Sequence, residues 1–169
     1  MSVIAHISGP SGSGKTTIGE KIKQLYPTLL VQDLDDMDEI AHAELFKNKS
    51  KRDFTDNDIK ILAGRRQQLL DSYIKMNKNK KIVLVGHHTE GNTILDVHTD
   101  NKWMLNTAPF TSAYRAYIRS QNEKPEHRRL LSELPVDYEE AKDVVNQLLE
   151  LGYKKYSAEN IIKMIEELS

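Results

Sequence analysis

The chain has 169 residues with 24 basic and 25 acidic side chains, a net charge of −1, and 38% hydrophobic against 29% charged residues. That is the size and balance of one globular domain, residues 1–169, able to bury a real core, and it excludes a disordered chain. The cancelled charge gives no electrostatic reason to expect nucleic acid as a partner. The absence of cysteine removes disulfides, thiolate metal sites and thiol nucleophiles. No apolar run approaches the roughly 18 residues of a membrane span, and none reads as a signal peptide, so a cytoplasmic location is expected.

In chain order, residues 3–8 predict a short apolar strand, and residues 16–26 a helix with Ile18, Ile22 and Leu25 at helical spacing, stopped by Pro27. Leu29-Leu30-Val31 opens a second strand running into Gln32-Asp33-Leu34-Asp35-Asp36. Residues 55–75 predict a helix, with Thr55 and Asp58 forming a capping box. Ile82-Val83-Leu84-Val85 is apolar on both faces, as in a central strand covered on two sides. Weaker strands are expected at residues 94–97 and 102–105. Tyr114, Tyr117 and Ile118 predict the buried face of a short helix. Residues 137–151 predict a helix closing at Gly152, and Ser157 caps a last helix with Ile161, Ile162, Ile165 and Leu168 inward. Strands separated by helices imply a parallel sheet with helices on both faces. The 36–81 connection far exceeds the dozen or so residues of a crossover. This helical insertion is the expected acceptor-binding region.

Between the first strand and the first helix stands Gly9-Pro-Ser-Gly-Ser-Gly14-Lys15-Thr16-Thr17, a complete phosphate-binding P-loop pattern in its proper context. Backbone amides must wrap a polyphosphate, which needs glycines at 9, 12 and 14 and the positive end of a helix. Gly9, Ser11, Gly12, Ser13, Gly14, Lys15, Thr16 and Thr17 are therefore the expected nucleotide-binding set. Lys15 reaches the β- and γ-phosphates and Thr16 turns its hydroxyl to Mg²⁺. The loop predicts nucleotide binding and leaves the reaction open.

The candidate chemistry lies elsewhere in the chain. If the second strand continues, Asp33 and Asp35 share a face at its carboxyl end, where ligands bind in open α/β sheets. One of them then takes a proton from an acceptor hydroxyl while the other, taken as Asp33, serves the metal. Asp36 reads as a helix cap. Arg66 falls near the centre of the apolar face of the 55–75 helix. It must therefore be ion-paired, for which the acids of the second strand are the expected partners, or grip an acceptor's anionic group. Arg65 reads as solvated, and Arg52 as a loop residue able to close over an acceptor. Arg115 and Arg119 share a helix face, and Arg128 and Arg129 follow a polar stretch; together they suit a lid at about 115–131 that neutralises the moving phosphoryl group. His6 reads as a core residue, while His87 and His88 stand at the ligand-binding edge as substrate contacts.

These features together resemble the small P-loop kinases, the group of nucleoside-monophosphate kinases and of shikimate and gluconate kinases. The shikimate kinase pattern is the nearer likeness, with Asp33-Leu34-Asp35, Arg128-Arg129-Leu130-Leu131 and Tyr138-Glu139-Glu140-Ala141 in similar places. The resemblance implies a three-layer α/β P-loop NTPase fold with parallel strand order 2-3-1-4-5. It also implies ATP and Mg²⁺ as cofactors and transfer of the γ-phosphoryl group to a small-molecule or nucleotide acceptor. Two departures fall on acceptor-binding features. Gly86-His87-His88 stands where the pattern has a glycine triplet, and Leu134-Pro135-Val136 where it has an arginine. Shikimate itself is therefore not the expected acceptor. The rival reading is a nucleotide-binding switch or ATPase module that lacks transfer, favoured by the missing acid on the 82–85 strand.

Overall fold

The computed structural model describes residues 2–50, 53–87, 89–90, 93–125 and 128–169, with backbone alone at 89, 90 and 93. The expected strand order is present. Strands β1 (Val3–Ser8), β2 (Leu30–Asp33), β3 (Ile82–Val85), β6 (Lys102–Leu105) and β7 (Lys154–Tyr156) form one parallel sheet in the order β2-β3-β1-β6-β7. Counting these strands alone, the order is 2-3-1-4-5. Its last strand has no signature in the sequence, since two of its three residues are exposed lysines. Strands β4 (Thr89–Glu90) and β5 (Thr93–Ile94) make a separate antiparallel ribbon. The strand expected at 94–97 thus shrinks to its first residue. Leu95 and Val97 reach the core from irregular backbone.

Period-two alternation splits the core between the two faces of the sheet. Ala5, Ile7, Val83, Val85, Trp103 and Leu105 point to one side, where Ile18 and Ile22 of α1 (Lys15–Leu25) and Ile161 and Ile165 of α6 (Ala158–Leu168) cover them. Ile82 and Leu84 point to the other, against Leu34 and Met37 of α2 (Leu34–Leu45) and Leu70 of α3 (Asp56–Met76). Met104 on that side packs with Val145 and Leu148 of α5 (Leu134–Glu150). Helix α5 starts three residues earlier than expected, because Pro135 is tolerated in the first turn, where no amide partner is needed. Helices α2 and α3 make up most of the long insertion.

Helix α4 (Pro109–Ser120) corrects its prediction. Its buried face is Ser112, Ala113, Ala116 and Ser120, whereas Tyr114 and Ile118 are 46% and 47% exposed. Small residues are selected there because the helix lies almost on top of the glycine loop. The aromatic stripe faces outward instead, with Phe110 stacked on Tyr114 and set edge-on to Tyr138.

The capping box of α3 forms as expected. Thr55 Oγ1 accepts from the Asp58 amide, and Asp58 accepts from the Thr55 amide at 2.7 Å. Lys49 Nζ also donates to Asp58 at 2.7 Å, and with Thr55 it holds that carboxyl at about 2, against an ordinary 3.8. A depressed carboxyl contributes stability that is present above its unfolded value and is lost as pH falls toward the folded one. Asp58→Asn is therefore expected to lower the urea midpoint near pH 6. The gap to the parent should close as pH drops from about 4 to about 2. A gap that persists at pH 2 would mean that the side chain's shape, not its charge, carries the effect.

Candidate active site

The carboxyl ends of β1, β2 and β3 meet at one edge of the sheet, and the glycine loop leaves β1 where the order reverses, between β3 and β6. Such a switch point opens a crevice between loops running to opposite sides. Here it holds a cavity of about 550 Å³, bounded by the glycine loop, Asp35, His87, the inner side of α4 and the first turns of α5.

The loop is built as the motif requires. Gly12 has φ +79°, and a Cβ there would lie 2.1 Å from the Ser112 carbonyl oxygen and 3.0 Å from the Ala116 amide. Only glycine lets α4 approach so closely. Thr107 Oγ1 donates to the Ser13 carbonyl at 2.9 Å and pins the loop from β6. Gly12→Ala is expected to destabilise the fold by about 3 kcal/mol through left-handed strain and displaced backbone, and to weaken ATP binding with it. Chemical denaturation and nucleotide titration of the same sample check this; an unchanged denaturation midpoint would refute the packing argument.

Lys15 is 8% exposed and donates from Nζ to the Pro10 carbonyl at 3.0 Å. Burial lowers its pKa, while the negative charges of Asp35 and Asp33 oppose that shift. Thr16 and Thr17 line the cavity, as do Ser11, Gly12 and Gly14. Ser13 turns inward and is buried.

The acidic pair differs from expectation. Strand β2 ends at Asp33, whose side chain accepts the Asp35 amide at 3.0 Å and so starts α2. Asp33 is thus the N-cap, the role expected of Asp36, and Asp35 sits in the first helical turn instead of on a shared strand face. The split gives them different surroundings. Asp35 lines the cavity. Asp33 lies behind it, its pKa raised by burial against the Asp35 amide bond and further by the charges of Asp35 and Asp36. Gly86, at φ +120°, makes room for this arrangement, since a Cβ there would stand 2.7 Å from Asp33 Oδ1 and 3.0 Å from the Leu34 amide.

His87 follows Gly86 into the cavity, and its amide donates to Asp35 Oδ1 at 3.4 Å. Burial, with the neighbouring Lys15 charge, pulls its pKa down to about 4, so the ring is uncharged at neutral pH. His88 and Arg52 lie outside the described residues. His6 is fully buried, between the Tyr153 hydroxyl at 2.5 Å from Nδ1 and the Gly86 carbonyl at 3.2 Å from Nε2.

The arginines divide. Arg66 is 2% exposed; its Nε lies 3.6 Å from Asp38 Oδ1, and Nη2 donates to the His87 carbonyl at 2.9 Å. The ion pair is made with Asp38 of α2, not with the acids of the second strand, and the guanidinium lies beneath the site without lining it. Arg65 is exposed on α3 and bonded to Glu44 at 2.7 Å. Arg115 and Arg119 both line the cavity, and Arg119 Nη2 donates to Ser11 Oγ on the loop at 3.2 Å. Arg129 lines it too; its guanidinium is held by Asp137 at 2.8 Å, and its backbone N–H donates to Ser120 Oγ at 3.0 Å. Arg128 does not; its Nε donates to the Glu123 carbonyl.

Asp38, Asp137 and Glu140 are members of this region that sequence reading passed over. Asp38 lies one helical turn beyond Leu34 and four residues before His42, with nothing local to link it to Arg66. Asp137, in the first turn of α5 eight positions after Arg129, carried a signal only in hindsight of the helix start. Among the described residues no three metal-ligating side chains converge on one point. A nucleotide-borne Mg²⁺ needs only one or two protein oxygens beside phosphate and water. The exposed Thr16 hydroxyl on the cavity wall fits that demand, and Asp35 is the carboxylate lining the same cavity, whereas Asp33 lies behind it.

No protein-family model matches the chain, and no curated protein matches it significantly. Solved structures do share its fold. A shikimate kinase from Bacteroides thetaiotaomicron is 18% identical, with 98% of this chain and 97% of that one covered and a TM-score of 0.56. A shikimate kinase from Acinetobacter baumannii, solved with shikimate, is 13% identical over 99% and 92% at 0.55. An uncharacterized protein from Eubacterium ventriosum is 13% identical over 99% and 98% at 0.51.

Proposed function

We propose that the chain is a kinase that transfers the γ-phosphoryl group of ATP to a hydroxyl of a small acceptor. One observation carries this reading: the glycine loop, Lys15, Asp35 and the arginines 115, 119 and 129 border a single cavity. A module that only bound nucleotide would need the loop but no carboxylate across from it. The likeness in fold to shikimate kinases supports the same reaction class.

In this reading the amides of Ser11, Gly12 and Gly14 to Thr17 and the Lys15 ammonium hold the β- and γ-phosphates. The acceptor oxygen attacks the γ-phosphorus, the bond to the β,γ-bridging oxygen breaks, and ADP leaves with that electron pair. Asp35 accepts the acceptor's proton. Arg115, Arg119 and Arg129 bear on the charge spread over the moving group. Arg129 must exchange Asp137 for phosphate to do so, while Arg128 stays with the lid backbone. Thr16 would hold Mg²⁺, with the Asp33 carboxyl behind Asp35 as its more distant acidic partner, and the ion would supply neutralisation of the phosphate charge. Arg66 positions His87 through its carbonyl instead of gripping the acceptor.

The test is ADP release from Mg-ATP with and without pooled nucleosides, nucleoside monophosphates, sugar acids and polyols. Release should depend on one pool, and Asp35→Asn should reduce it about 10²-fold with ATP affinity preserved. Release that ignores every pool, or survives Asp35→Asn, would favour the switch or ATPase reading.

A further inference from the structure

His6 does more than fill the core. It stands fully buried in the middle strand of the sheet, where an apolar side chain would pack at less cost. Its imidazole is held at both nitrogens. The Tyr153 ring, clustered with Met104, Val145 and Leu148, sits edge-on to it with centroids 5.5 Å apart. The Tyr153 hydroxyl lies 2.5 Å from Nδ1. Burial pushes the Tyr153 pKa up, so the hydroxyl keeps its proton and serves as donor to Nδ1. The Gly86 carbonyl, 3.2 Å from Nε2, can only accept, so Nε2 carries the ring hydrogen.

The Gly86 carbonyl and the His87 N–H belong to one peptide unit. That unit is planar and trans, so the two groups point in opposite directions. His6 takes the carbonyl, and the N–H donates to Asp35 Oδ1 at 3.4 Å. The next carbonyl along, that of His87, is taken by Arg66 Nη2 at 2.9 Å. A chain of donors thus runs from Tyr153 through His6 and one backbone amide to a carboxylate on the cavity wall. Each bond in such a chain polarises the next. Tyr153 and His6 do not themselves line the cavity.

We propose that Tyr153 and His6 are positioning residues that orient the Asp35 carboxylate through the Gly86–His87 peptide. A carboxylate in the first turn of a helix has several side-chain rotamers open to it, and a fixed N–H on one oxygen selects among them. Arg66 steadies the same turn from the side of α3. The effect on turnover rests on the kinase reading, in which Asp35 is the base; the hydrogen-bond chain itself does not.

The experiment uses the full chain isotope-labelled at histidine, so that the His87 amide is followed directly, together with acceptor-dependent turnover. Tyr153→Phe removes the hydroxyl and keeps the ring. His6→Leu removes both ring nitrogens, and His6→Gln restores an N–H toward the Gly86 carbonyl. Tyr153→Phe and His6→Leu should move the His87 amide proton upfield, in the direction that Asp35→Asn moves it, with the His42 and His98 amides unmoved. Tyr153→Phe should lower kcat about threefold and His6→Leu about tenfold at unchanged KM for ATP, with His6→Gln recovering part of the loss. Urea midpoints establish that each variant is folded, and Tyr153→Phe carries the test if His6→Leu is not. An unmoved His87 amide in Tyr153→Phe, or a moved amide with kcat intact, overturns the proposal. A moved amide in a chain whose parent phosphorylates no compound defeats the kinase reading and leaves the path from Tyr153 to Asp35 standing.

Discussion

Lys15→Ala is expected to lower acceptor-dependent ADP release by about 10³-fold or more, with folding stability within about 1 kcal/mol of the parent. The two halves of that expectation have one cause. The ammonium is nearly sealed from water and depends on a single carbonyl and the nearby Asp33 and Asp35 charges. Burial disfavours its charged form, so the fold gains little from it. A polyphosphate in the loop would supply the missing counter-charge, and the stabilisation would grow as charge builds on the bridging oxygen. Steady-state ADP release and urea unfolding on the same preparation separate the effects. A loss of activity matched by an equal loss of stability would make Lys15 a structural residue.

Arg66→Ala is expected to have the largest effect on stability, about 3–5 kcal/mol, because it removes a buried cation and leaves its carboxylate partner behind. Asp38 loses the charge 3.6 Å away, and the His87 carbonyl loses a donor at 2.9 Å. Removing both charges together behaves differently. Arg66→Met with Asp38→Leu should fall within about 1–2 kcal/mol of the parent, since an apolar pair of similar volume avoids the desolvation that the ion pair suffers. Urea denaturation of the parent, Arg66→Met, Asp38→Leu and the double variant gives the coupling energy. Additive effects would mean that the two side chains do not act as a pair. If the double variant folds well but turns over slowly, positioning of His87 is what the pair supplies.

The parts of the site that were legible in the sequence are those whose physics is local. The glycine loop, the capping box at Thr55 and the closure of α5 at Gly152 each rest on contacts within a few residues. Strand order came through resemblance to a family, since pairing across the sheet leaves no local trace. The misread elements share a reason. Tyr114, Tyr117 and Ile118 look like a core stripe because large apolar residues at helical spacing commonly are one. The approach of α4 to Gly12 selects small residues instead and turns that stripe outward. Asp33 and Asp35 looked like strand neighbours until the Asp33 side chain captured the Asp35 amide. That local competitor to the strand is common for aspartate. The need of Arg66 for a partner was readable, but its identity was not, because helices α2 and α3 meet only in the folded chain.

The position of β1 at the middle of the sheet also governs when the protein can exist at all. Val3 lies opposite Ile82 and Ile7 opposite Trp103, so both neighbours of this strand are made long after it, one beyond α3 and the other beyond β5. During synthesis it waits with both edges unpaired, through the whole of α2 and α3. Pairing at such sequence distance is slow, and an apolar strand without neighbours is prone to associate with other chains. The phosphate loop, translated well before α4, gains the wall it rests on only when that helix emerges.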